Sequence, residues 1–161
     1  MEHNMKTWID PKCNRSNWPA GEWDDEPDKA QWLDADTGLS CIAKRHHRTG
    51  HWCGYVGVPE GHSWFGKQYD DISARCELTY AAPCSHGAIE SSICHVPEPG
   101  EPDNVWWLGF DFAHCDDASP QDHCYARDRG YPFDPVIGTY KTLEYVKQVC
   151  KELAADIKGV A

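Results

Sequence analysis

The stretch Val105–Asp117, VWWLGFDFAHCDD, constrains the fold of this 161-residue chain more than any other segment. It begins as the most hydrophobic run of the sequence and ends in a group of polar, ligand-forming side chains. In a β-strand, side chains alternate between two faces, so one face here is apolar and carries Trp106, Leu108, Phe110 and Phe112. The other face carries Val105, Trp107, Gly109 and Asp111, and Gly109 leaves room for another backbone or a ligand. The segment therefore predicts a core strand with a site at its carboxyl end.

The rest of the chain indicates one folded domain of the α+β class. Its length and eight tryptophans can supply a substantial core, and its Gly and Pro residues favour many turns. We expect a small, mostly antiparallel sheet with long irregular loops and a C-terminal amphipathic helix packed on one face. Residues 1–40 form an acidic, Trp-containing segment that we expect to pack on the domain, which then spans residues 41–161.

Hydrophobic patterning predicts the individual elements. Strand patterns occupy Cys41–His47, Trp52–Val58 and Glu77–Ala82, and Asp28–Leu33 is interpreted as a short helix. Ala118–Pro135 has little periodicity and several helix breakers, which predicts a long surface loop.

One helix is evident near the C-terminus from a single apolar stripe. Its members recur at spacings of three and four residues: Leu143, Val146, Cys150, Leu153 and Ile157. Thr139 is the expected N-cap and Gly159 the expected C-terminal cap, and the helix should cover one face of the sheet.

The formal net charge is −11, which argues against direct nucleic-acid binding because phosphate contacts need Lys and Arg. Two acidic stretches, Glu22–Asp28 and Glu98–Asp103, are either solvated surface or a docking face for a basic host protein. No run approaches the roughly 18–20 apolar residues of a membrane span, so we expect no membrane association. The N-terminal residues, MEHNMKTWIDPKC, lack the apolar centre of a signal peptide, and we expect a cytoplasmic protein.

Nine cysteines are many for such a chain, yet no CxxC pair occurs. Zinc or another divalent metal is one explanation, and ordinary buried cysteines are another. A disulfide framework is disfavoured, because the number of cysteines is odd and the sequence shows no secretion signal. The metal candidates combine cysteine and histidine in close sequence: Cys84 with His86 and Cys94 with His95, followed by His114 with Cys115 and His123 with Cys124.

Several segments together resemble a family of hypothetical proteins of bacteriophages and prophages. They contain GYVGVPEGH, LTYA, ICHVPEPGEP and WWLGFDFAH, and the resemblance covers roughly residues 41–117 and the final helix. It implies a viral setting, with the host cell cytoplasm as the location, and no particular activity. Where family members more often carry a histidine and a cysteine, this chain has Arg75 and Phe112, which weakens an enzyme hypothesis that depends on that histidine.

The candidate ligand-binding residues are His62, Trp64, Lys67, Tyr69, Asp70, Trp107, Asp111 and His114. Aromatic faces with a few polar groups suit a flat, possibly nucleotide-like small molecule, whose phosphates Lys44, Arg45, Lys67 and Arg75 would meet. The candidate catalytic residues are Asp111, His114 and Asp116, which could bind a metal or act as an acid–base pair. The ordinary structural alternative is that Asp111 and His114 cap turns at the strand end.

We therefore expect a phage accessory protein with a small-ligand pocket at the end of the Val105–Asp117 segment, acting on host metabolism or defence. A metal-assisted hydrolase that uses these His and Asp residues is the first alternative. An acidic inhibitor that binds a host protein is the second. The sequence leaves open whether the protein is an enzyme or a binder.

Overall fold

Six antiparallel strands form one open sheet in the computed structural model, which describes residues 3–129 and 138–160. The strands are β1 (His3–Trp8), β2 (Lys29–Leu33), β3 (Ser40–Arg45), β4 (Trp52–Pro59), β5 (Tyr80–Ala82) and β6 (Val105–Asp111), in the order β1-β2-β3-β4-β6-β5. Two helices follow, α1 (Pro120–Asp128) and α2 (Leu143–Lys158). The predicted α+β class and antiparallel sheet are confirmed.

The acidic N-terminal segment is part of the sheet. It supplies β1 and β2, and its residues Trp18, Trp23 and Trp32 are buried in the main core. The short helix expected over Asp28–Leu33 is wrong, because these residues form β2 between β1 and β3. Both faces of β2 are covered, so the strand lacks the simple alternation of a half-exposed strand.

Strand β6 lies between β4 and β5 and is covered on both faces. Leu108 and Phe110 face the main core with α2, as expected, whereas Trp106 and Phe112 at the ends of this row are half-buried. On the opposite face Trp107 is fully buried in a second cluster with Ile42, Tyr55 and Val105. Two covered faces explain why this strand is the most hydrophobic run of the chain.

Helix α2 packs its predicted stripe on the sheet. All five stripe residues are buried, and Gly159 ends the helix as expected. The N-cap is Thr142 rather than Thr139, since the Thr142 side chain accepts a hydrogen bond from the Tyr145 backbone N–H. No helix in the described part of the chain has the length and apolar character needed to cross a membrane.

Helix α1 lies inside the stretch that was expected to be a loop. Ser119 and Asp122 form a reciprocal capping box, and Pro120 occupies the first turn, where its missing N–H costs nothing. The helix is weakly amphipathic, so hydrophobic periodicity gave no signal for it. Residues 130–135 of the expected loop lie outside the described residues.

An irregular segment, residues 84–98, covers the second face of the sheet. Its carbonyl groups need donors because the segment has no regular structure. The buried Lys29 ammonium donates to the carbonyls of Ile89, Ser92 and Cys94 at 2.5–2.8 Å. Gln31 exchanges two 2.8 Å hydrogen bonds with the Val96 backbone. Polar side chains of β2 thus hold this covering segment in place.

Candidate functional site

An open cavity of about 230 Å³ lies at the carboxyl end of β6, between the loop that follows the strand and the outer side of α2. We call it the β6 cavity. Its lining residues are Cys76, Glu77, Phe110, Asp111, Phe112, His114, Asp116, Asp117, Lys141, Tyr145, Val149 and Glu152. The three candidate catalytic residues, Asp111, His114 and Asp116, therefore line one cavity.

Local hydrogen bonds give the loop after β6 its shape. Asp111 accepts hydrogen bonds from the Thr79 hydroxyl (3.1 Å) and from the Ala113 backbone N–H (3.2 Å). The Asp117 carboxylate accepts a bond from the His114 backbone N–H at 3.0 Å and lies 3.3 Å from His114 Nδ1. Asp111 thus forms an Asx turn with the N–H two residues further on, whereas Asp117 binds the N–H three residues earlier and closes the loop. Both carboxylates also line the cavity.

Lys141 neutralises one carboxylate of the cavity. Its ammonium lies 2.8 Å from Asp117 Oδ1. Burial by itself would raise the pKa of Asp117, but the hydrogen bonds from Lys141 and from the His114 backbone outweigh burial and lower it. Asp117 therefore stays ionised and holds Lys141 and the loop together.

Two carboxylates on the rim have no such partner. Glu77 and Asp116 are exposed, and within the described ranges neither side chain takes part in a hydrogen bond or ion pair. Glu152 is half-buried, and its backbone carbonyl accepts a bond from Arg75. The cavity thus has five carboxylates against one lysine among its lining residues, and its electrostatic potential favours a cation.

Aromatic rings form the inner wall. The Phe110 and Phe112 centroids lie 5.5 Å apart, and Phe112 meets Tyr145 edge-on at 5.3 Å. Phe110 covers Gly54 of the neighbouring strand so closely that a Cβ atom at that glycine would lie 2.3 Å from the ring. The wall is consequently fixed by sheet packing.

The cysteine of the cavity is not an activated nucleophile. Burial raises the pKa of the Cys76 thiol to about 11, and the carboxylates of Asp156 and Glu152 add to the effect. Because this pKa is well above 7, Cys76 is a neutral thiol near pH 7. Only the thiolate is strongly nucleophilic, so Cys76 is a poor nucleophile there.

Most of the expected ligand-binding residues lie elsewhere. His62, Trp64, Lys67, Tyr69 and Asp70 follow β4, and the register pairs Pro59 with Val105 and Cys53 with Asp111. The loop after β4 is therefore at the Val105 end of β6, about six strand residues or 20 Å from Asp111.

The contacts of that loop are structural. His62 Nε2 lies 2.7 Å from the Ile157 carbonyl, and His62 Nδ1 accepts a bond from the Trp64 backbone. Trp64 is buried in the core, and the Lys67 carbonyl accepts a bond from the Trp106 indole. The structure brings none of these side chains to Asp111.

Trp107 also lies outside the cavity. Its side chain is fully buried, with the His95 ring edge-on at 5.2 Å. The space left by Gly109 is filled by Tyr55, whose ring would lie 2.4 Å from a Cβ at that position. The glycine permits close side-chain packing and does not open a ligand pocket.

The basic residues expected to meet phosphates are mostly occupied. Lys44 pairs with Asp10 at 3.0 Å, and the fully buried Arg45 lies 3.3 Å from Asp28 and 4.3 Å from the Trp52 ring centroid. Arg75 pairs with Asp156 at 2.7 Å. A phosphate group cannot reach Lys44 or Arg45 without breaking the interior.

Part of the expected acidic docking face also belongs to the interior. Asp28 is fully buried, and Glu26 contacts Arg45, the Tyr140 hydroxyl and the Leu143 backbone N–H. Glu98 pairs with Lys6, and Glu101 accepts a hydrogen bond from Ser40.

The metal candidates are divided between three places. Cys84, His86 and Cys94 lie together in the covering segment, and among the described residues they are the group of three or more candidate ligands that lie close enough to share an ion. His95 points away towards Trp107 and lies 3.4 Å from Glu101. His114 is in the β6 cavity. Sequence neighbours in an extended chain point in opposite directions, which explains why His95 leaves the cysteine group.

Sequence reasoning missed the part of the cavity that α2 supplies. Lys141, Tyr145, Val149 and Glu152 follow a spacing of about four residues along one side of α2 and its lead-in, next to the buried stripe. That spacing was visible, but its position against Asp111 depends on tertiary packing.

Comparisons with protein-family models, with curated proteins and with solved structures found no match to this chain.

Proposed function

We propose that the protein binds a small organic cation, an alkylammonium, arylammonium or guanidinium ion, in the β6 cavity. The observation that carries this proposal is the pairing of unneutralised rim carboxylates with a wall of aromatic rings in one open cavity. Aromatic faces attract cations, and carboxylates provide the hydrogen-bond acceptors that ammonium and guanidinium groups require.

The size and charge of the cavity restrict the class of ligand that it can bind. A volume of about 230 Å³ is below the roughly 300–1,000 Å³ of drug-sized sites, which favours a ligand of few heavy atoms. The excess of carboxylates repels phosphates, so the nucleotide-like ligand suggested by the sequence is not the one that we propose. Lys141 is held by Asp117 and leaves Glu77, Asp116 and Glu152 for the ligand.

Binding is favoured over metal-assisted hydrolysis. In residues 3–129 and 138–160, the cavity residues do not bring three metal-ligating atoms together, and Cys76 is a neutral thiol. In the viral setting implied by the sequence motifs, such a pocket would sense or sequester a cationic metabolite of the host.

Calorimetric titration of the full chain tests the proposal. Butylammonium and benzylammonium are the probes, and butan-1-ol, benzyl alcohol and butyrate are matched neutral and anionic controls. We expect saturable 1:1 binding of at least one cation and none of the controls. Equal binding of alcohol and ammonium probes, or binding of butyrate alone, would contradict the proposal.

Variants locate the binding. Asp116→Asn and Glu152→Gln should each weaken cation binding by about tenfold, which corresponds to loss of one charge-assisted hydrogen bond. Glu60→Gln, in the exposed turn at the opposite end of the strands, is the control and should bind as wild type does.

A further inference from the structure

The covering segment contains a cluster of possible metal-ligating side chains, none of which lines the β6 cavity. Cys84 and Cys94 are joined as a disulfide, with their Cα atoms 4.8 Å apart. The His86 ring lies beside the disulfide, with Nδ1 3.6 Å from Cys84 Sγ. All three ligand atoms lie within 4.8 Å of one another.

The backbone around these cysteines is arranged to stabilise negative sulfur. The His86 N–H donates towards both sulfurs, at 3.3 Å to Cys84 and 3.4 Å to Cys94. A disulfide sulfur is a weak acceptor, whereas a thiolate gains much more from an N–H donor because hydrogen bonds to charged groups are stronger. This shared N–H donor thus suits a thiolate pair better than a disulfide.

His86 adopts a backbone conformation that brings its ring back to the sulfurs. Its φ angle is +56°, and it is the non-glycine residue with positive φ in the described part of the chain. This conformation costs a non-glycine residue roughly 1 kcal/mol or more and persists only where the surroundings enforce it. It places both the N–H and the imidazole of one residue beside the two cysteines.

The cluster is anchored on the sheet. Lys29 donates to the Cys94 carbonyl at 2.8 Å, and Ser85 and Ile93 exchange hydrogen bonds across the loop that separates the cysteines. Cys94 is buried, Cys84 half-buried and His86 exposed, so one side of the cluster is fixed and the other faces solvent.

We propose that Cys84, Cys94 and His86 bind a thiophilic divalent cation such as Zn²⁺ when the two cysteines are reduced. Tetrahedral Zn²⁺ with about 2.3 Å to sulfur and about 2.05 Å to nitrogen places those ligand atoms about 3.6 Å apart, which matches the His86–Cys84 separation. Two thiolates neutralise the ion, and the fourth position is open on the solvent side.

The disulfide and the metal exclude each other. Sulfurs bonded to each other are about 2.05 Å apart, and two sulfurs on one tetrahedral zinc are about 3.8 Å apart. A thiol reductant must first supply two electrons and two protons to Cys84 and Cys94 and leave as its own disulfide. Binding of Zn²⁺ to the two thiols then releases two protons to solvent.

Metal titration of the reduced full chain tests the site. With Zn²⁺ in competition with a chromogenic chelator, we expect one equivalent to bind. With Co²⁺ as the spectroscopic substitute, we expect tetrahedral ligand-field bands and a thiolate-to-metal charge-transfer band. A reduced wild-type protein without that charge-transfer band overturns the proposal.

Substitutions assign the ligands. Cys84→Ser and Cys94→Ser should abolish the charge-transfer band or weaken Zn²⁺ binding more than about tenfold, and His86→Ala should weaken binding by a similar factor while keeping the band. The controls Cys115→Ser and His46→Ala change exposed residues outside the cluster and should bind as wild type does. Wild-type affinity in either cysteine variant contradicts the assignment.

A measurement on wild-type protein covers the case in which a cysteine variant does not fold. Alkylation followed by peptide mass spectrometry should show that Zn²⁺ protects Cys84 and Cys94 from modification, while the exposed Cys115 reacts equally with and without the metal. Equal labelling of Cys84 and Cys94 in both conditions overturns the proposal.

Discussion

Two regions of this protein concentrate charge, and they use it in opposite ways. The interior ion network comprises Asp10, Arg15, Glu26, Asp28, Lys44 and Arg45, in which three carboxylates meet three cations. The β6 cavity has five carboxylates and one lysine among its lining residues. The charges of the network are paired with each other and mostly buried, whereas the cavity is open and two of its carboxylates, Glu77 and Asp116, have no ion-pair partner among the described residues.

The comparison shows that charge density alone does not identify a site. Lys44 and Arg45 look like an anion-binding cluster in the sequence, yet their partners are already inside the protein. What distinguishes a binding site from a structural cluster is whether the charged side chains already have ion-pair partners within the protein.

Removing a carboxylate from the interior ion network should strongly lower the free energy of unfolding. Asp28 accepts bonds from the Asp10 backbone and Arg15 at 2.8 Å and lies 3.3 Å from buried Arg45. Asp28→Ala should cost about 3–5 kcal/mol because it leaves a buried guanidinium undercompensated. Chemical denaturation measures the loss, and the exposed Asp25→Ala, expected within about 0.5 kcal/mol of wild type, is the control.

The inner wall of the cavity should behave like core. Phe110 is 3% exposed and fills the space above Gly54. Phe110→Ala should cost about 3–5 kcal/mol in the free energy of unfolding through the void that it leaves. The half-buried Phe112→Ala should cost clearly less, and an equal or larger loss for Phe112 would contradict the packing described here.

Acid should weaken the network through Asp10. Burial opposes ionisation of Asp10, but the hydrogen bond from the Lys12 N–H and the ammonium of Lys44 outweigh burial and lower the pKa of Asp10 below the ordinary 3.8. A lowered carboxyl pKa gives stability that is present above the unfolded pKa and is lost as pH falls through the folded pKa. Stability of wild type should therefore fall below about pH 4, and that of Asp10→Asn should fall less over the same range. Denaturation at several pH values compares the two slopes, and equal slopes would contradict this role.

Asp111 combines a structural role in the loop after β6 with a proposed role in cation binding. It holds Thr79 and the Ala113 N–H, and it also lines the cavity. Because Asn keeps an acceptor oxygen, Asp111→Asn should lose only about 0.5–1 kcal/mol while cation binding weakens. Denaturation and calorimetry check the two effects separately, and a destabilised variant with full binding would leave Asp111 as a turn cap.

The elements with strong local patterns were predictable, and those made by tertiary contacts were not. On a helix, the apolar residues from Leu143 to Ile157 form a single face that can be buried, so the sequence predicted α2. Strand β2 was missed because its buried Lys29 satisfies carbonyls of residues 89–94, a contact that no local pattern shows. Helix α1 was missed although Ser119 and Asp122 carried the signal of a capping box.

The candidate site divides in the same way. Asp111, His114 and Asp116 come from one continuous segment, so their proximity followed from the sequence. The expectation that His62 lies beside these residues is wrong, because the register of β4 and β6 places the loop after β4 at the Val105 end of β6. Lys141 and Glu152 reach the cavity only through the packing of α2.

Backbone amide chemical-shift mapping by NMR shows where on the protein a small organic cation binds. Titrating benzylammonium into isotope-labelled full chain should shift the amides of residues 111–117 and 141–152, which surround the cavity with its unpaired carboxylates. The amide shifts of Asp28, Lys44 and Arg45 in the interior ion network should stay unchanged. Shifts centred on the network, or saturation that leaves the cavity amides unmoved, would contradict the account.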